Sequence, residues 1–202
     1  MEGFRAPSAP DRAIAEIARR QHGIVTLHQL YAAGLSRRMI DARIRSGRLH
    51  RIHRGVYAVG HPGVGSEGRW MAAVLACGEG AVLSHRSAAE VWEMLPARTA
   101  IVDVALPRRS GRKAHRGIRI HRPVSLPNTD TTRRRGIPVT MPARTIADLR
   151  RVATAAEVRR ATRAAEYRGL PLPAASSDRI RSDLERDLLR LCRRRRLTLP
   201  GT

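Results

Sequence analysis

The stretch SRRMIDARIRSGRLHRIHRGVYAVG (residues 36–60) reads as one helix followed by a hairpin. Ser36 is a good N-cap, and Leu35 before it can staple onto Ile40. At helical spacing Ile40 and Ile44 lie together and face a core. Arg38, Ala42 and Arg45 fall on the opposite side, flanked by Asp41. Gly47 ends the helix. Leu49–His53 and Val56–Val59 follow as short strands turned by Arg54-Gly55. Upstream, Asp11 can cap a first helix with Ile14, Ile17 and Ala18 on one stripe. Thr26 caps a second helix carrying Leu27, Leu30 and Tyr31, which Gly34 stops. Helix, helix, turn, helix and hairpin in this order is the layout of a winged helix-turn-helix.

The rest of the chain reads as a second lobe. After the spacer His61-Pro62-Gly63-Val64-Gly65, a helix is expected over about Glu67–Cys77, with Trp70, Met71, Val74 and Leu75 on its apolar face. Ser84 caps another, to about Met94. Strands are expected at Ile101–Leu106, Ile118–His121 and Ile137–Thr140, the last at an edge because of Pro138. Helices follow at about Ala143–Val152 and Ala155–Tyr167. The division is a disordered lead (1–10), a DNA-binding domain (11–60), a mixed α/β middle domain (67–168), a linker (169–177) and a C-terminal helix (178–202). The fold class is α+β.

Charge narrows the partner. The chain has 202 residues, with 39 Lys and Arg against 17 Asp and Glu, a formal charge of +22. Lys113 is the sole lysine, a skew that a GC-rich genome can write. Codon bias selects arginine over lysine, but it does not leave so much charge unbalanced. A polyanion is the expected partner, most simply nucleic acid. The charge is concentrated in residues 1–66 and 100–136, with a near-neutral block between. No window resembles a membrane span or a secretory signal, so a cytoplasmic protein is expected. Cys77 and Cys192 support neither a disulfide framework nor a zinc site.

The candidate DNA contacts are Ser36, Arg37, Arg38, Asp41, Ala42, Arg43 and Arg45 on the third helix. A small residue between arginines lets that helix approach base edges, and arginine can grip guanine bidentately. Arg37 and Arg38 stand in its first turn, against the helix dipole, which suggests a job other than stability. Arg48, His50, Arg51, His53 and Arg54 crowd the hairpin, where a basic wing positions on phosphate. The plain alternatives are a solvated helix face and an edge strand blunted by charge. Arg108, Arg109, Arg112, Lys113 and Arg116, in the loop Pro107–Gly117, form a second set of phosphate contacts or an unpartnered loop. Arg133–Arg135 either adds to that footprint or solvates a turn. No metal site is expected at His50 and His53, which lack a third ligand. No cofactor or catalytic residue is expected either. Ser84-His85 has no identifiable orienting acid, and Ser84 reads as a cap. Asp103 reads as structural or surface-lying, for want of a second carboxylate.

Residues 21–60 (QHGIVTLHQLYAAGLSRRMIDARIRSGRLHRIHRGVYAVG) resemble the N-terminal winged helix of AbiEi-type antitoxins of type IV toxin–antitoxin systems. GRWMAAVLACGEGAVLSHRSAAEVW (68–92) and GIPVTMPARTIADL (136–149) resemble the middle region of an actinobacterial branch. In that branch the chain often continues into a Vsr-like endonuclease domain, whose opening is similar to SDRIRSDLERDLLRLCRRRRLTLP (177–200). Glu185 matches its first acidic residue. The later metal-holding residues are absent, so a truncated relative is implied and nuclease activity is not carried over. The resemblance implies binding to double-stranded DNA at the protein's own promoter. It also implies opposition to a nucleotidyltransferase-like toxin without a stable complex. Arg37, Arg38, Arg43 and Arg45 then fall on the recognition helix, and Arg48, Arg51 and Arg54 on the wing. Dimerisation, effector binding or toxin opposition falls to the middle domain, where Ser84, His85 and Arg86 match a motif of no derivable role. Two other readings stay open. One is the DNA-targeting part of a Vsr-like endonuclease. The other is a nonspecific RNA or nucleic-acid binder, which scarce aromatics weaken.

Overall fold

A computed structural model describes residues 8–97, 100–107 and 116–172. Among them are seven α-helices and two sheets, an α+β architecture. Helix α1 (Ala9–Arg20) begins earlier than the expected Asp11 cap. Ser8 is the N-cap, its hydroxyl accepting from the Asp11 amide, and a proline fits the first turn, where no donor is needed. The strand β1 (Ile24–Thr26) is too short to display alternation in the sequence. Thr26 then caps α2 (Leu27–Ala32) in a reciprocal capping box with Gln29. Ser36 caps α3 (Arg37–Arg45), accepting from the Met39 amide. Strands β2 (Leu49–His53) and β3 (Val56–Val59) complete an antiparallel sheet in the order β1-β3-β2.

Alternation along this small sheet gives it two buried faces. Val25, Leu49 and Tyr57 pack with Ile14, Leu30 and Ile40 from the three helices and with Leu35 from the turn between α2 and α3. Ile24, Val56 and Ala58 point the other way, into the core of the second lobe. The cover on that side is α4 (Ser66–Cys77), which touches β1, β2 and β3 as well as strands of the second sheet. For that reason α4 is buried on nearly all sides rather than along one stripe. Gly68 is the point of closest approach. A Cβ there would stand 3.1 Å from the His22 carbonyl oxygen and 3.1 Å from Val64 Cβ.

The second sheet joins β4 (Val82–Leu83), β5 (Val102–Ala105), β6 (Ile118–His121), β7 (Thr131–Arg134) and β8 (Ile137–Thr140) in the order β6-β5-β4-β8-β7. Strand β8 is therefore interior, not the edge that Pro138 suggested. The proline is tolerated because β4 meets β8 in parallel through Leu83 and Val139 alone. No bond of that pairing calls on an amide at position 138. The edge belongs to β7, so Arg133 and Arg134 lie on a strand instead of solvating a turn. Around the sheet lie α5 (His85–Val91), α6 (Pro142–Leu149) and α7 (Ala155–Tyr167). Helix α5 ends before the expected Met94, since Glu93 turns the chain at φ +59°.

The two lobes are also joined by charge. His22 lies 2.7 Å through Nε2 from the Arg135 carbonyl oxygen and 3.2 Å through Nδ1 from Glu67. Arg135 donates to Glu67 at 2.7 Å and to Glu93 at 2.8 Å. His22, Glu93 and Arg135 are all non-glycine residues at positive φ, so three strained turns meet in one ionic cluster.

Candidate nucleic-acid interface

Helix α3 is anchored by Ile40, which is 1% exposed. Its opposite side presents Arg38, Ala42 and Arg45, all exposed. Neither arginine has a hydrogen bond or ion pair with a described residue. Arg37 behaves differently. Its guanidinium reaches Asp41 at 3.2 Å. That contact, and then Tyr31, holds Arg37 above its ordinary pKa. Asp41 thus sets the reach of an arginine at the edge of the face. Arg43 turns the other way and donates to Asp11 at 2.7 Å, with only 13% of its side chain exposed. The same contact, then Ser8, holds the Asp11 carboxyl below its usual range. Arg43 therefore ties α3 to α1 and does not share the outer face.

In the hairpin, Arg51 and Arg54 are exposed and take no described partner, while Arg48 donates to the Ser46 hydroxyl. His50 and His53 are half-buried. A register irregularity between Arg51 and His53 turns Ile52 onto the core of the second lobe. This bulge leaves arginines at the edge while the sheet stays covered. Two large apolar residues stand exposed beside this face, Tyr31 (44% exposed) and Met39 (38%). The helix stripe expected to bury Tyr31 leaves it outside, and its link to Arg37 crosses the turn between α2 and α3.

Arg116 is exposed at the turn into β6, and Arg108, Arg109, Arg112 and Lys113 lie outside the described residues, as does the helix expected over 178–202. Of the Arg133–Arg135 run, Arg134 lies 4.8 Å over the Trp92 ring and donates to the Val91 carbonyl. With Arg135 in the lobe junction, these two are committed to the fold.

Ser84, His85 and Arg86 separate in role. Arg86 grips Glu157 through two bonds of 2.6 and 2.9 Å. This first, and then the Thr154 amide, holds the Glu157 carboxyl down at about 2. Ser84 occupies the cap position of α5 but makes no cap bond; its hydroxyl lies 3.0 Å from His85 Nδ1. Asp103, expected as structural or surface-lying, is 2% exposed and lies 2.8 Å from His121 Nε2. Asp103 orients His121 rather than His85, and Ser84 is fully buried, so no Ser84–His85–Asp103 chain forms. The described residues contain no cluster of three or more His, Cys, Asp or Glu side chains able to hold a metal. No described helix is long and apolar enough to cross a membrane.

No curated protein matches the chain in sequence. Among solved structures it is similar to the crystal structure of the RV2827C protein from Mycobacterium tuberculosis. The two share 19% identity over 83% of this chain and 79% of the other, with a TM-score of 0.40. Residues 12–60, which carry nearly all of α1 and everything from β1 to β3, match a family model described as "Transcriptional regulator, AbiEi antitoxin".

Proposed function

We propose that residues 9–60 act as a winged helix-turn-helix that reads double-stranded DNA, with α3 in the major groove and the β2–β3 tip on phosphate. The observation that carries this reading is a helix held by one buried isoleucine whose outer face offers Arg38 and Arg45 without a hydrogen-bond or ion-pair partner among the described residues. Ala42 between them leaves room for close approach to base edges. Arg51 and Arg54 supply phosphate contacts that fix register. The family match over residues 12–60 supports a transcriptional regulator of antitoxin type. On this reading the chain represses its own operon and opposes a nucleotidyltransferase-like toxin without a lasting complex. The test is a reporter driven by the promoter upstream of the gene. Repression should be lost with Arg38→Ala and Arg45→Ala together and kept with Arg163→Ala. Full repression by the double variant would refute the assignment.

A further inference from the structure

Between β6 and the end of α6 lies a cleft of about 350 Å³, within the size range of small-molecule sites. His85, His121, Asp148 and Arg151 line its polar side, with Arg122 beside them; Ile120 and Val124 line its apolar side. The two imidazoles are stacked, with centroids 3.6 Å apart and planes at 18°. Each has one nitrogen engaged: His85 Nδ1 with Ser84, and His121 Nε2 with Asp103. His85 Nε2 and His121 Nδ1 are left as the uncommitted donors or acceptors. Asp148, held by Arg144 at 3.0 Å, is the acidic residue of the lining, so an anion must seat on the side of Arg151 and the two imidazoles. Arg151 is exposed and has no ion-pair or hydrogen-bonding side-chain partner among the described residues. Val124 is 82% exposed, an apolar wall at the mouth.

Burial, and then the stacked His121, hold the His85 imidazole toward its neutral form. An anion in the cleft would favour the charged ring and turn its free nitrogen into a charge-assisted donor. Arg151 supplies a permanent positive charge at the same place. The set is wrong for a metal, which needs more converging ligands. It suits an oxyanion attached to an apolar body.

We propose that this cleft binds a small phosphorylated ligand of about nucleoside-monophosphate size, its phosphate against Arg151, His121 and His85 and its apolar part against Ile120 and Val124. The proposal does not depend on duplex recognition by α3. Calorimetry on the full chain with inorganic phosphate, adenosine 5′-monophosphate and adenosine tests it, together with proton NMR of the histidine rings. Saturable binding is expected for both phosphate compounds and not for adenosine. Tighter binding of the monophosphate is expected from its contact with Ile120 and Val124; equal binding of inorganic phosphate would overturn that part of the proposal and leave a site for the free oxyanion. Arg151→Gln should weaken binding at least about tenfold, the loss of one charge-assisted contact. Arg163→Ala, which removes equal charge from α7, should leave it unchanged. The ring signals of His85 and His121 should move on binding. Absence of saturable binding, equal weakening by both substitutions, or adenosine binding as well as the monophosphate would each overturn the proposal. His121→Gln, with a thermal melt to show that it folds, gives an independent second reading of the same loss.

Discussion

Arg43 and Arg45 are two positions apart on α3 and do different work. Arg43 is spent on Asp11, so Arg43→Ala should cost about 1 kcal/mol of stability, read from chemical denaturation. Arg38→Ala and Arg45→Ala should leave stability alone and each weaken specific duplex binding by about 1–3 kcal/mol, read from anisotropy titrations. The sequence placed Arg38, Ala42 and Arg45 on one face because helical periodicity suffices for that. It could not show that Arg43 is occupied, because Asp11 is brought near only by packing of α1 on α3. His85 makes a separate prediction. Burial first, then the stacked His121, lowers its pKa from 6.5 to about 4; Asp148 and Asp103 pull it upward and Arg151 downward. The fold therefore prefers neutral His85. That contribution is complete above pH 6.5 and fades as the pH falls towards 4. Stability should drop by up to about 3 kcal/mol across this window. His85→Asn, which accepts the positive φ of this position, should flatten the slope. An unchanged slope would show that His85 is not the group responsible.

At the level of elements, the legible pieces were those with their own caps and periods. The α3 cap at Ser36, the α2 cap at Thr26 and the β2–β3 turn at Arg54-Gly55 are all local signals, and all three appear in the structure. The illegible pieces depend on distant partners. Strand β4 has two residues, and its identity comes from β5 and β8 on either side. Pro138 points to an edge strand, but β8 is interior because its contact with β4 is the single pair Leu83 and Val139. The β2–β3 tip should behave as a positioning element. Arg51→Ala with Arg54→Ala should weaken binding to all duplexes alike and reduce the salt slope by about 2. A loss confined to one sequence would instead make the tip a base reader. At the lobe junction, Gly68→Val would force α4 away from the His22 carbonyl. A loss of about 1–3 kcal/mol is expected, read from the melting temperature.

On the scale of the whole molecule, the small sheet sits between its own three helices and α4. Ile24, Val56 and Ala58 belong to the core of the second lobe, so a division after residue 60 read from the His61–Gly65 spacer cuts through shared packing. The spacer was visible because glycine and proline mark loops. The shared core was not, because nothing in β1 or β3 says which element covers their second face. Unfolding in urea should be one transition. Fluorescence of Trp70 and Trp92, both in the second lobe's core, should coincide with far-ultraviolet circular dichroism, which also reports α1 to α3. Separate midpoints would show that the lobes fold independently. The central claim concerns how this body meets DNA, and one titration tests it most directly. The parent and the Arg38→Ala/Arg45→Ala double variant are titrated with the gene's own promoter duplex and with a scrambled duplex across a range of salt. The parent should prefer the promoter, and the double variant should bind both duplexes equally while keeping much of its salt dependence. A double variant that still prefers the promoter as strongly as the parent would contradict the claim that α3 reads the sequence.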